Sequence, residues 1–160
     1  MNKILLLVLA ALVPTAFALT TADTANLVFL KQEEKMARDV YQVLHAKWGH
    51  PAFANISLSE QRHMDSVTAL LARYGIADPT PVQPGVFTIP ALQALYDQLV
   101  AEGAKSLQDA LAVGVLIEET DIADIQRLLD ATRERPIRRV LTNLQRASYN
   151  HRAAFTRSLE

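Results

Sequence analysis

From Thr24 onward, Leu27, Leu30, Glu34, Ala37, Tyr41, Leu44 and Trp48 recur three and four residues apart, the spacing of one stripe on an α-helix. Gly49 and Pro51 stop that first helix. Phe53, Ile56, Glu60, His63, Val67, Leu70 and Tyr74 repeat the pattern in a second helix, with Pro51 suited to its first turn and Gly75 to its end. A third stripe runs through Leu111, Val115, Glu118, Ile122, Ile125 and Leu129, with Ser106 as N-cap and Asp109 three residues on. The fourth runs through Ile137, Leu141, Leu144, Ser148, His151 and Phe155, behind Pro136 and a polar turn at 132–135.

Between the second and third stripes, residues 76–105 begin with Asp78-Pro79-Thr80-Pro81 and continue through Pro84-Gly85 and Pro90, so their first half cannot be a long helix. Ala91 to Glu102 can form a short one. Such a segment can travel the ~35 Å length of a long helix. The expected fold is therefore all-α: two helical hairpins joined by one long crossover that contains a short helix, a four-helix bundle.

Composition narrows the reading without changing it. The chain has 160 residues, no Cys, 16 Lys plus Arg and 17 Asp plus Glu. A net charge of -1 advertises neither nucleic acid nor an acidic tail, and absent Cys excludes a disulfide framework. Residues 1–18 have the three parts of a secretory signal: the cationic Met1 to Lys3, the apolar Ile4 to Val13, and Ala16-Phe17-Ala18 as a cleavage site. The apolar run is shorter than the ~20 residues that span a bilayer. The expectation is a signal peptide at 1–18, one domain over 19–160, a periplasmic or extracellular location, and no stable membrane anchor after cleavage.

Polar residues interrupt all four apolar stripes: Glu34, then Glu60 with His63, then Glu118, then Ser148 with His151. Inward carboxylates crowded in low dielectric repel or protonate unless a cation holds them, and no Lys or Arg lies on the stripes. Glu34 lies about 14 residues before the first interhelical turn, and Glu60 and His63 about 12 and 15 after it; Glu118, Ser148 and His151 are similarly matched about the last turn. Carboxylates and imidazoles at i, i+3 spacing are what helical bundles use to bind iron, manganese or zinc. The candidate ligands are Glu34, Glu60, His63, Glu118 and His151, with Glu60 as the expected bridge and one or two ions held. Glu119, Tyr41, Asp121, Ser148 and Asn150 are further candidates, as extra ligands or as groups that orient ligands.

Several residues have duller readings. Glu60 follows Ser57 by three and would be a capping-box residue if the second helix began late. His45 and His50 are expected at the surface, and Arg38 and Asp39 on a solvated face.

The segments Glu33-Glu34-Lys35-Met36-Ala37-Arg38-Asp39-Val40-Tyr41, Ser59-Glu60-Gln61-Arg62-His63-Met64, Ile117-Glu118-Glu119-Thr120-Asp121-Ile122 and Ser148-Tyr149-Asn150-His151 together resemble an uncharacterised bacterial and archaeal ferritin-like family, the domain of unknown function 2202. That family is distantly similar to rubrerythrins and ferritin-type di-iron carboxylate proteins. Glu34 with Ala37 and Tyr41 is similar to the first-helix metal motif of rubrerythrins, which favours Glu34 over Glu33. The resemblance implies a di-iron or di-manganese site for redox chemistry or metal handling, with dioxygen or peroxide as partner and an oxidase, peroxidase or ferroxidase activity. Ser148 departs from it, because a full di-metal site would have Glu there. The alternative is a non-catalytic helical structural or interaction module with one metal or none. Nucleophilic hydrolysis has no support: there is no Cys and no Gly-x-Ser-x-Gly elbow.

Overall fold

In the computed structural model, which describes residues 19–160, five α-helices follow one another and no strand occurs among the described residues. The expected signal at 1–18 lies outside them. Helix α1 spans Thr21–Trp48 and begins three residues before its predicted stripe, because Thr20 and Asp23 form a reciprocal capping box. It ends at Gly49, whose φ of 68° lets its N–H reach back to the His45 carbonyl. Helix α2, Pro51–Arg73, starts immediately, with Pro51 in its first turn and the His50 side chain accepting the Ala52 N–H. Ser57 therefore lies inside α2, where its hydroxyl donates to the Ala54 carbonyl, and the capping role considered for Glu60 is excluded.

The proline-rich segment after α2 leads to α3, Pro90–Gly103. Helix α4, Leu107–Ala131, starts at Ser106, which accepts the Asp109 N–H as the sequence predicts. Helix α5, Arg135–Leu159, follows after a short turn. The long helices pack in a ring: α1 on α2 and α4, and α5 on α4 and α2, while α3 lies across α1 and α4. None of the described helices is long and apolar enough to cross a membrane.

The middle of α1 is buried on every side, since Leu30 to Ala37 are all inaccessible. One face meets the ring interior and the other meets the crossover, which is tied down by polar side chains. Gln32 bonds Thr88 twice, donating to its hydroxyl at 2.7 Å and accepting its N–H at 2.9 Å. The Lys35 ammonium donates to Asp39 at 2.5 Å and to the Gln83 carbonyl at 2.8 Å, while Asp39 also accepts the Gly85 N–H. Arg38 donates to the other Asp39 oxygen. Asp39 is thus buried in an ion pair beneath the crossover, a correction to the solvated face expected of it. Its burial is compensated because both oxygens are hydrogen-bonded.

The apolar interior is in two pieces. One contains Val40, Tyr41, Leu44, Phe53, Val113 and Phe155; the other contains Leu27, Leu30, Val67, Ile125, Leu141 and Leu144. Each fully buried side chain of this size contributes about 1.5–3 kcal/mol. The layer between the two pieces is polar.

Candidate metal centre

Each long helix contributes to that layer. Glu34 comes from α1, Glu60 and His63 from one turn of α2, Glu118 and Asp121 from one turn of α4, and Ser148 and His151 from one turn of α5. Helical i, i+3 spacing points both members of each pair the same way. The Glu34, Glu60 and Glu118 carboxylates are each only 2% exposed. His63 Nδ1 stands 3.1 Å from Glu34 Oε2 and 2.8 Å from Glu60 Oε2. On the other side, His151 Nδ1 stands 2.9 Å from Glu60 Oε1 and 3.4 Å from Glu118 Oε2. Glu60 therefore turns one oxygen toward each histidine, and the two imidazoles lie nearly parallel with centroids 5.6 Å apart.

Two groups of donors result, Glu34 with Glu60 and His63, and Glu60 with Glu118 and His151, each with donor atoms within 4.8 Å of one another. All five ligands predicted from the sequence are brought together. The contact between His151 Nδ1 and Glu60 Oε1 is close without the alignment of a hydrogen bond, so both atoms, and Glu34 Oε1, lack a hydrogen-bond partner. Such orphaned buried donors and acceptors are costly. No lysine compensates them: Lys31 donates to the Met64 carbonyl and the Thr68 hydroxyl, and Lys35 is held by Asp39.

Without an ion the cluster can relieve itself only with protons. Burial raises Glu34 well above the usual carboxylate range, and the charge of Asp121 adds to the shift. Burial and the charge of Glu60 lift Glu118 to about 8. Burial lifts Asp121 to about 7, against the pull of its bond to Ser148. Burial alone would raise Glu60, but the close approach and charge of His151 and His63 hold it at about 2. Burial would likewise lower the histidines, yet Glu34 and Glu60 push His63 up to about 11, and Glu118 and Glu60 push His151 to about 9. Oxygen-rich donors with two imidazoles, unpaired lone pairs and no resident cation fit a site for divalent transition-metal ions.

Among the further candidates, Tyr41 donates to Glu118 Oε1 at 2.7 Å from within the aromatic cluster of Phe53 and Phe155. Ser148 meets Asp121 Oδ2 at 2.5 Å. Glu119 and Asn150 are exposed; Glu119 faces Arg152 at 3.9 Å, and neither joins the layer. His45 and His50 are partly buried near the α1–α2 turn, away from it.

Sequence reasoning passed over Glu33. It is buried beside Asp121 and Asp124, and burial followed by the charge of Asp121 raises its carboxyl well above the normal range. Glu33 and Asp121 border a largely apolar cavity of about 250 Å³ between α1, α3 and α4, lined also by Ala37, Leu99 and Ile117. The signal available in the sequence was only the double carboxylate Glu33-Glu34 at an apolar stripe.

Residues 23–160 match the model of an uncharacterized protein domain, DUF2202. The uncharacterized protein MJ0754 of Methanocaldococcus jannaschii is 45% identical over 138 residues, covering 86% of this chain and 75% of that protein. The crystal structure of hypothetical protein MJ0754 superposes with a TM-score of 0.87 at 44% identity, over 88% of this chain and 81% of that one. A DUF305 fragment from Deinococcus radiodurans has a similar fold, with a TM-score of 0.64 at 16% identity over 88% of this chain and 96% of the fragment.

Proposed function

The chain belongs to the uncharacterized DUF2202 family, and from its polar layer we propose that it is a ferritin-like metal-binding protein. It holds a pair of iron or manganese ions between its long helices for redox chemistry or metal handling. The observation that carries this reading is the Glu60 carboxylate, with one oxygen 2.8 Å from His63 Nδ1 and the other 2.9 Å from His151 Nδ1, a bridging posture between two donor groups. Glu34 and His63 complete one side, and Glu118 and His151 the other.

Ions bound there would supply one-electron chemistry at coordination positions open to dioxygen or peroxide. The chain's own groups do the rest. Glu60 ties the two sides together, Tyr41 fixes the Glu118 carboxylate, and the apolar pieces above and below exclude water and keep each ligand in place. Iron or manganese is the first choice because the layer is dominated by carboxylate oxygen, and zinc, which also takes carboxylate and imidazole donors, is the alternative. A structural module with one ion or none is the second reading, and Ser148 favours it by leaving α5 without a carboxylate.

Metal content decides between them. After anaerobic loading with Fe(II) or Mn(II) and removal of excess metal, the wild type should retain more than one ion per chain by mass spectrometric metal analysis. Glu60→Ala should lose most of it with its helicity unchanged, since Glu60 caps nothing. A wild type that retains one ion or none after loading with iron, manganese or zinc overturns the two-ion reading in favour of the second.

A further inference from the structure

The carboxylate that α5 lacks is present in the layer, delivered from a different helix. Ser148 occupies the position one turn before His151, is 1% exposed, and carries no charge. Its Oγ stands between the Leu144 carbonyl at 3.0 Å and Asp121 Oδ2 at 2.5 Å. Asp121 lies one turn beyond Glu118 on α4, and its carboxylate meets the Ser148 side chain across the α4–α5 contact. Only one of its oxygens is used by Ser148. The other, Oδ1, is buried without a partner. No lysine or arginine neutralises it: Arg127, further along α4, is paired with Asp124. Asp121 lies within electrostatic reach of Glu34 on one side and of Glu60, His63 and His151 across the layer.

We propose that Asp121 is a sixth protein ligand of the site, and that Ser148 is its positioning residue. The inference rests on the metal-binding reading above and deepens it. A short acid on α4 and a small hydroxyl residue on α5 exchange the usual division of labour. Asp reaches less far than Glu, but it starts from the helix that already carries Glu118, and the Ser148 hydroxyl holds Oδ2 while Oδ1 stays buried and unpartnered. Removal of Asp121 should therefore leave one strong ion site and abolish or weaken the second, which loss of a merely structural hydrogen bond would not do.

The experiment is a Mn(II) titration of the full chain by calorimetry, with electron paramagnetic resonance on the loaded samples. Wild type should bind two ions and give an exchange-coupled spectrum. Asp121→Asn, nearly isosteric and still able to bond Ser148, should bind one ion tightly, with an uncoupled spectrum. Ser148→Ala should keep two ions but weaken the second by about tenfold, the scale on which groups that orient ligands act. The exchanged pair Asp121→Ala with Ser148→Glu should recover the second ion and the coupling. Two ions bound by Asp121→Asn with wild-type affinity would overturn the inference while leaving the metal-binding reading in place, whereas a single ion bound by the wild type would overturn both the inference and the two-ion reading. If Asp121→Asn loses its helicity, the wild-type spectrum and the exchanged pair decide in the same way. A wild type that binds no Mn(II), Fe(II) or Zn(II) removes the reading itself.

Discussion

Gly114 shows how closely the layer is supported from one side. A Cβ at this position would lie 2.7–2.8 Å from three ring carbons of Phe155, which is fully buried with its centroid 5.1 Å from Tyr41 and 5.3 Å from Phe53. Alanine gains about 1 kcal/mol of helix propensity over glycine, but overpacking a boxed ring costs about 1–3 kcal/mol. With no free side for Phe155 to move into, the upper end applies. Gly114→Ala should destabilise the protein by about 2 kcal/mol in urea unfolding, and an unchanged midpoint would refute the packing argument. The five predicted ligands were legible because each is a charged or imidazole side chain on an otherwise apolar stripe. Asp121 was only a secondary candidate and Glu33 was set aside, because both lie at the shoulder of their stripes. What buries a shoulder is whatever packs outside it, here α3, and no local period records that placement.

Among the elements, α1 is the one whose middle is enclosed on all sides, and its outward residues are bonded to the crossover rather than to water. The long helices could be read from their stripes and stops, down to the Ser106 cap, since these signals are local. The crossover could be read only as a proline-broken segment with a short helix, because the bonds that shape it join residues far apart in sequence: Gln32 to Thr88, Lys35 to Gln83 and Asp39 to Gly85. Lys35 is the centre of this strap. Lys35→Ala would strip one cation from buried Asp39 and leave the Gln83 carbonyl without its donor, a loss of about 3 kcal/mol for breaking a buried pair. Hydrogen exchange should locate the damage. Amides of residues 83–88 should exchange faster in Lys35→Ala, while those of the α4–α5 pair keep their protection; uniform protection across the chain would mean that the strap does not hold the crossover.

For the molecule as a whole, a polar layer that divides the apolar interior makes stability depend on what neutralises the layer. In metal-free protein that role falls to protons, and its direction with pH follows from the shifts. A carboxyl raised on folding contributes stability that is complete below its unfolded pKa near 4 and is lost as pH rises through its folded value. That value is about 7 for Asp121 and about 8 for Glu118. His63 and His151 are also raised, so their contribution is complete below about 6.5 and is lost as pH rises toward about 9 for His151 and about 11 for His63. Glu60 acts oppositely, but its contribution is lost only as pH falls toward about 2, well below the working range. Between pH 5 and 9 every raised group in the layer therefore pulls the same way while Glu60 stays level, and protein stripped with a chelator should lose about 2–4 °C of Tm across that range, what about 1 kcal/mol produces in a domain of this size. Metal reverses the sign, because bound ions need ionised carboxylates and neutral imidazoles, so the rise in Tm on adding Mn(II) should be larger at pH 8 than at pH 5.5. Calorimetric scans at both pH values, with and without the ion, test this directly. A metal-free Tm that stays level or climbs with pH would mean that the layer's charges are already balanced without protons, and the physical case for an ion between these helices would fall with it.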